Sequence, residues 1–327
     1  MLLNCLWYRK NCLAYFLLPL SWLYRLVLRI RNFLYKIHFF RTHHVSVPVI
    51  VVGNITVGGT GKTPLVIALT QYLKQQGFHP GVISRGYRGK SQAWPKVVTE
   101  NSDPRSVGDE AIIIAKQTQV PVVVGPRRID NAKKLLDQCD VIISDDGLQH
   151  LALARDIEIA VIDGERRLGN GLCLPAGPLR EPVSRLRAVD FIVANAKGCD
   201  GEYVMQFVFD DVIHIANHTV ISISELKNKK IHAVAGIGNP DRFFQQLIAL
   251  GLSMTPHAFP DHYFFEKKDF DFVGEHDVVL MTEKDAVKCR AFSDERFWFV
   301  RGHAEIDQHF FEAVVAKLRQ STILHNR

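Results

Sequence analysis

The stretch Val49-Ile50-Val51-Val52-Gly53-Asn54-Ile55-Thr56-Val57-Gly58-Gly59-Thr60-Gly61-Lys62-Thr63 decides how this chain folds. An apolar, β-branched run enters a glycine-rich turn that closes on Gly-Lys-Thr. Behind it Leu65, Ala68, Leu69, Tyr72 and Leu73 recur at helical spacing, so the order is strand, loop, helix. A phosphate-binding loop needs that order. Glycines let backbone N–H groups turn toward a polyphosphate, and the helix N-terminus adds partial positive charge. On this reading Thr56, Val57, Gly58, Gly59, Thr60, Gly61, Lys62 and Thr63 surround the phosphates of a nucleotide. Lys62 reaches the β- and γ-phosphates, and the Thr63 hydroxyl holds Mg²⁺. Pro64 suits a first helical turn. Thr56 departs from the usual pattern, which has glycine there. A plain Gly-rich turn before a core helix is the rival reading, and the flanking strand and helix count against it.

Downstream the same alternation repeats. Candidate strands are 80–84, 120–124, 141–144, 157–162 and 191–194, with helices opening at Val107-Gly108-Asp109-Glu110 and at Gly125-Pro126-Arg127-Arg128. Alternation of this kind predicts a doubly wound parallel sheet. The strand 141–144 runs into Asp145-Asp146-Gly147, the place where a carboxylate holds Mg²⁺ in phosphate-loop proteins. Asp145-Asp146-Gly147-Leu148 does not give the D-x-x-G of GTPases, nor Thr282-Glu283-Lys284-Asp285 their N-K-x-D, which favours ATP over GTP. Around 203–224 the pattern changes to alternating apolar positions, an antiparallel ribbon. A second α/β unit follows, with strands 231–235, 278–281 and 297–300 and helices 241–250 and 307–320.

Upstream of the loop, residues 11–24 carry no charge but are short of the roughly 20 apolar residues of a spanning helix, and Pro19 falls inside them. Arg25, Arg29, Asn32 and Lys36 then form a polar stripe opposite Leu23, Leu26, Val27, Ile30, Leu34 and Ile37. A basic, aromatic-rich amphipathic helix of this kind lies in a membrane interface. A helix packed on the protein's own core is the alternative. No small-x-small cleavage site marks a signal peptide.

The net charge of +6 on 327 residues suits an anionic substrate or membrane surface. No basic block interleaved with aromatics points to nucleic acid. The six cysteines form no C-x-x-C pair, so neither zinc nor thioredoxin-like chemistry is indicated. Taken alone, Asp109 and Glu110 read as acids favoured in a first helical turn, and Asp261-His262-Tyr263 as a surface pair. Leu174-Pro175-Ala176-Gly177-Pro178-Leu179-Arg180-Glu181-Pro182 is too rigid for a simple linker yet names no reaction.

Together these stretches resemble one family, the tetraacyldisaccharide 4′-kinases of Gram-negative bacteria. The resemblance rests on 53–64, Ser84-Arg85-Gly86-Tyr87, Gly108-Asp109-Glu110, Asp145-Asp146-Gly147-Leu148-Gln149, Gly177-Pro178-Leu179-Arg180-Glu181, Gly236-Ile237-Gly238-Asn239-Pro240, Phe259-Pro260-Asp261-His262 and Thr282-Glu283-Lys284-Asp285-Ala286. Each is modest alone; eight in family order are specific, and Thr56 matches the family's own variant of the loop.

The resemblance implies a fold, a reaction and a place. The fold is α/β: a P-loop NTPase-like doubly wound parallel sheet at 41–200, a β-ribbon at 201–226 and a smaller α/β domain at 227–327. An amphipathic membrane-associated helix precedes them at 1–40. ATP with Mg²⁺ phosphorylates the 4′-hydroxyl of a membrane-embedded tetraacyl glucosamine disaccharide 1-phosphate, at the cytoplasmic face of the inner membrane. No nucleic acid takes part. Asp109 is then the base, His262 its partner across the cleft, and Asp145 or Asp146 a metal ligand with Thr63. Arg85, Arg127, Arg128, Arg180 and Glu181 are candidates for the lipid headgroup, since Arg forks match phosphate oxygens. A membrane-associated ATPase switch and a non-catalytic nucleotide-binding scaffold are the rivals. Neither needs the Asp-His pair of the second unit.

Overall fold

In the computed structural model, which describes residues 7–8, 13–86 and 93–325, every strand joins one mixed, mostly parallel sheet. Residues 1–6, 9–12, 87–92 and 326–327, with Tyr87 of the Ser-Arg-Gly-Tyr motif, lie outside the described residues.

The sheet is built outward from β1 (Val49–Gly53), all five of whose residues are buried. A continuous apolar run is what a parallel strand covered on both faces requires. β5 (Val141–Asp145) and β6 (Ile157–Asp163) flank it in parallel. On one side follow β2 (Pro80–Ser84), β4 (Val122–Val124) and an antiparallel edge, β3 (Lys96–Val98); on the other, β7 (Phe191–Asn195). The second half runs β13 (Phe297–Ile306), β12 (Val278–Thr282), β10 (Ile231–Ala235) and β11 (Met254–Ala258), all parallel. β8 (Tyr203–His214) joins the halves, parallel to β7 and antiparallel to β13, and β9 (Val220–Ser222) turns back on it. The expected ribbon is therefore a seam inside one sheet. β13 is longer than the apolar run 297–300, because Gly302 to Ile306 pair with β8.

A short helix, α1 (Leu13–Phe16), and a 19-residue helix, α2 (Leu18–Lys36), precede β1, and α3 (Lys62–Gln75) follows it. Leu65, Leu69 and Leu73 of α3 are fully buried against β1 and β5. Each such leucine stabilises the fold by about 1.5–3 kcal/mol. Then come α4 (Pro104–Val107), α5 (Asp109–Thr118), α6 (Arg128–Lys133), α7 (Pro240–Ala249), α8 (Glu283–Cys289) and α9 (Gln308–His325).

One expectation holds and one changes. The apolar run is broken at Pro19: α1 ends at Phe16, and Pro19 sits in the first turn of α2, where its missing N–H costs nothing. The last helix, α9, leaves the second half and returns to the first. Its Phe310, Val314 and Leu318 are fully buried in the core around Leu65 and Leu69, and Phe311 stacks on Tyr72 at 4.8 Å. An apolar stripe is buried wherever a matching groove exists, and that groove is beside α3.

The face of α2 turned to the protein carries Ser21, whose hydroxyl donates to the Cys173 carbonyl (2.8 Å), and Tyr24, which donates to the Arg180 carbonyl (2.9 Å). Leu28 is buried there. Trp22, Leu23, Leu26, Val27, Ile30 and Phe33 point outward, each at least half exposed. Among the described residues no helix is long and apolar enough to cross a membrane.

Candidate functional site

A cleft of about 860 Å³ opens between the two halves of the sheet, with the glycine-rich loop along one wall. Gly61 caps α3 with φ 94°, and a β-carbon there would meet the Asn195 side-chain nitrogen at 2.5 Å. Both facts demand glycine. The same Asn195 amide donates to the Thr60 carbonyl (3.1 Å). Asn54 holds the loop from within, donating to Gly58 O and to Thr60 Oγ1, both at 3.3 Å. The proline-rich segment finds its purpose here. Val57 N–H donates to Pro178 O (2.8 Å) and Arg180 N–H to Ile55 O (2.7 Å), so the segment braces the loop from outside.

At the end of β5 lies an acidic corner. Asp146, in a left-handed conformation (φ 48°), pairs with Arg180 (3.0 Å) and Lys62 (3.6 Å). Burial opposes its charge, yet those cations keep its carboxyl below the usual range. Asp145 is fully buried, and burial together with Glu110 and Asp146 pushes its carboxyl up. Its Oδ1 has no hydrogen-bond partner. An anionic corner with an orphaned oxygen fits a divalent cation.

Across the cleft His262 Nδ1 lies 3.3 Å from Asp109 Oδ2. Asp109 opens α5 in the first half, and His262 follows β11 in the second. His262 also takes a left-handed φ of 59°, a strained setting of the kind found at functional sites. Burial works to raise the Asp109 carboxyl, but the His262 hydrogen bond and the charges of Lys284 and Lys288 bring it down to about 2.

The structure brings most of the sequence-predicted residues to the cleft. Val57, Gly58, Gly59, Thr60, Gly61, Lys62 and Thr63 line it, with Asp145, Asp146, Arg85, Arg180 and His262. Thr56 is buried behind the loop, bridged to Leu179. Asp109 stands directly behind His262, 6% exposed.

Three headgroup candidates correct the expectation. Arg128 is buried, and its guanidinium donates to the carbonyls of Gly125 (3.2 Å) and Asp145 (3.1 Å), fixing the end of β5. Glu181 is buried, accepting from Gln149 (2.7 Å) and pairing with Arg185. Arg127 is exposed away from the cleft, beside Asp130. A charge next to a helix start carries no sign of which way it faces.

Other cleft residues escaped the sequence reading. Arg242 donates to Asn195 Oδ1 (2.8 Å), joining α7 to the loop. Lys284 Nζ contacts Glu110 (3.0 Å) and His262 Nε2 (3.3 Å). Both are single polar residues whose partners lie far away in sequence; only the Thr-Glu-Lys-Asp-Ala motif flagged one of them.

Known proteins share this arrangement. The profile of the tetraacyldisaccharide-1-P 4'-kinase family matches residues 13–319. A tetraacyldisaccharide 4'-kinase from Nitrosococcus oceani is 50% identical over 317 residues, covering 96% of this chain and 94% of that one. One from Coxiella burnetii is 48% identical over 308 residues, covering 93% and 91%. Among solved structures, the "apo" form of LpxK from Aquifex aeolicus in complex with ATP superposes with a TM-score of 0.77 at 30% identity, covering 95% of this chain and 99% of that one. With a match along nearly its whole length and half its residues identical to a named relative, the chain belongs to the tetraacyldisaccharide-1-P 4'-kinase family.

Proposed function

We propose that this enzyme transfers the γ-phosphate of ATP to the 4′-hydroxyl of a tetraacyl glucosamine disaccharide 1-phosphate, the step that forms lipid IVA in lipid A biosynthesis. The observation that carries the reading is the cleft itself. A Gly-Lys-Thr loop and an acidic corner form one wall, and an Asp–His pair bridges the two halves of the sheet.

Phosphoryl transfer is chiefly positioning and charge neutralisation. The loop N–H groups and Lys62 hold the phosphates, and Asn54, Asn195 and the 174–182 segment keep the loop in shape before ATP arrives. Thr63, Asp145 and Asp146 would hold Mg²⁺, which neutralises charge on the phosphate oxygens. Asp109 accepts the proton of the acceptor hydroxyl, and His262 orients it. Glycine-rich loop and acidic corner belong to a phosphate-loop kinase lobe, and His262 to a smaller lobe. Productive geometry then needs both lobes together, which keeps water from the γ-phosphate.

Arg85, exposed at the cleft, and Arg180 remain for the acceptor's phosphate or sugar. The outward apolar face of α2 suits a substrate whose acyl chains stay in the bilayer. It supports peripheral attachment to the cytoplasmic face of the inner membrane.

The test is transfer of labelled phosphate from Mg-ATP to the tetraacyl disaccharide 1-phosphate in detergent, with Lys62→Ala as control. Acceptor-dependent label in lipid, absent in the variant, is expected. ATP turnover with no labelled lipid would overturn the reading in favour of an ATPase switch.

A further inference from the structure

Arg242 stands in the first turn of α7 and lines the cleft from the half of the sheet that lacks the phosphate loop. The turn between β10 and α7 fixes it there. Gly236 N–H donates to Asp285 Oδ2 (2.9 Å). A β-carbon on Gly238 would stand 3.3 Å from the backbone nitrogen of Gly59, so this turn lies against the loop itself. Behind it Phe243, Phe244 and Leu247 are buried in the core of the second half, which holds α7 firmly in place.

The cations of the cleft divide by whether a carboxylate already answers them. Lys62 and Arg180 pair with Asp146, and Lys284 pairs with Glu110. Arg242 pairs with no carboxylate among the described residues. Its hydrogen bond goes to the neutral Asn195 Oδ1 at 2.8 Å, and Asn195 in turn donates to the Thr60 carbonyl of the loop (3.1 Å). One amide separates the guanidinium from the loop. A guanidinium carries five N–H donors in a planar fork that matches phosphate oxygens, and a single amide oxygen leaves most of them free. A cation without a counter-charge, one side chain away from a cradle for polyphosphate, is complementary to the polyphosphate.

We propose that Arg242 contacts the β- and γ-phosphates of bound ATP, a guanidinium brought by the second half of the sheet to a loop carried by the first. The proposal deepens the kinase reading above and rests on it. As the γ-phosphoryl group leaves, negative charge grows on the oxygens of the β-phosphate and spreads over the group in flight. Lys62 meets that charge from the loop side, and Arg242 meets it from the facing wall. Asn195 holds the fork beside Thr60, so its move onto the phosphates is short.

The test compares full-length wild type, Arg242→Ala and Arg242→Lys. Calorimetry with saturating Mg²⁺ measures affinity for the non-hydrolysable β,γ-methylene analogue of ATP and for AMP, which lacks the two phosphates in question. In Arg242→Ala the analogue is expected to bind about 10-fold more weakly, with AMP within about twofold, which also shows that the variant is folded. Labelled-phosphate transfer to lipid is expected to show kcat lowered at least about 100-fold. Guanidinium chloride, at concentrations that leave the wild type fully active, is expected to restore part of it. Arg242→Lys keeps the charge but loses the fork, and is expected to lie between. Analogue and AMP weakened alike would overturn the proposal, since Arg242 would then shape the nucleoside end of the cleft. Unchanged affinity for the analogue would overturn it too, whatever the rate does. So would an unchanged kcat in Arg242→Ala. Failure of the wild type to label lipid would defeat the kinase reading instead; the affinity comparison needs no acceptor and would still report on Arg242.

Discussion

Asp109 and His262 face each other at 3.3 Å from opposite halves of the sheet, 153 residues apart in sequence. Neither half contains the pair, and the seam strand β8 sets how the halves meet. The pair therefore reports on tertiary structure more directly than any single motif does.

Removing the carboxylate isolates its part in the reaction. Asp109→Asn is expected to lower kcat by about 10²- to 10⁴-fold while the KM for ATP changes little, because Asp109 opens α5, buried beside His262, and is not part of the loop that holds the phosphates. Steady-state kinetics with lipid acceptor measure both. An unchanged kcat would remove Asp109 as the base.

The same carboxylate links stability to pH. Its pKa in the folded protein is about 2, below the ordinary aspartate value of 3.8. A depressed acid contributes stability that is complete above the unfolded pKa and is lost as pH falls through the folded one. The difference corresponds to about 2 kcal/mol. Urea denaturation is expected to find Asp109→Asn less stable than wild type at pH 6, with the gap closing between pH 4 and pH 2. A gap that stays constant over that range would show that the charge is not what stabilises.

Helix α9 belongs energetically to the half of the sheet that carries the loop. Phe310 is fully buried there, among Leu65, Leu69 and Val314. Phe310→Ala is expected to cost about 3–5 kcal/mol, read as a lowered denaturation midpoint of the whole chain. A loss below 1 kcal/mol would mean α9 is only loosely docked.

The outward face of α2 is expected to carry membrane attachment. Replacing Trp22 and Leu26, 62% and 52% exposed, by Asp removes two apolar contacts with a bilayer. At about 1.5–3 kcal/mol per inserted side chain, recovery with floated anionic vesicles is expected to drop at least about 10-fold. ATP affinity is expected to stay near wild type. Equal recovery would place the attachment elsewhere.

Much of this was legible in the residues because the signals are local. A buried parallel strand needs the run Val49–Val52, a loop that wraps phosphates needs glycines, and a strand end offers Asp145-Asp146 to the same place. That the chain before β1 holds an amphipathic helix was readable from the stripe between Leu23 and Ile37, since helical periodicity sorts side chains by face, but its start at Leu18 was not. Arg127, Arg128 and Glu181 were not readable, because a charged side chain looks the same in sequence whether it braces a backbone or meets a ligand.

The sequence by itself determined the strand–loop–helix unit, the alternation that makes a parallel sheet, and the amphipathic entry helix. All three follow from contacts between near neighbours along the chain. Only the tertiary structure decided that the two units share one sheet, that α9 returns to the first core, and that Lys284, His262, Asp109 and Glu110 converge. The physical reason is distance in sequence: Lys284 and Glu110 are 174 residues apart, and nothing local encodes a meeting that depends on how β8 and β13 pair.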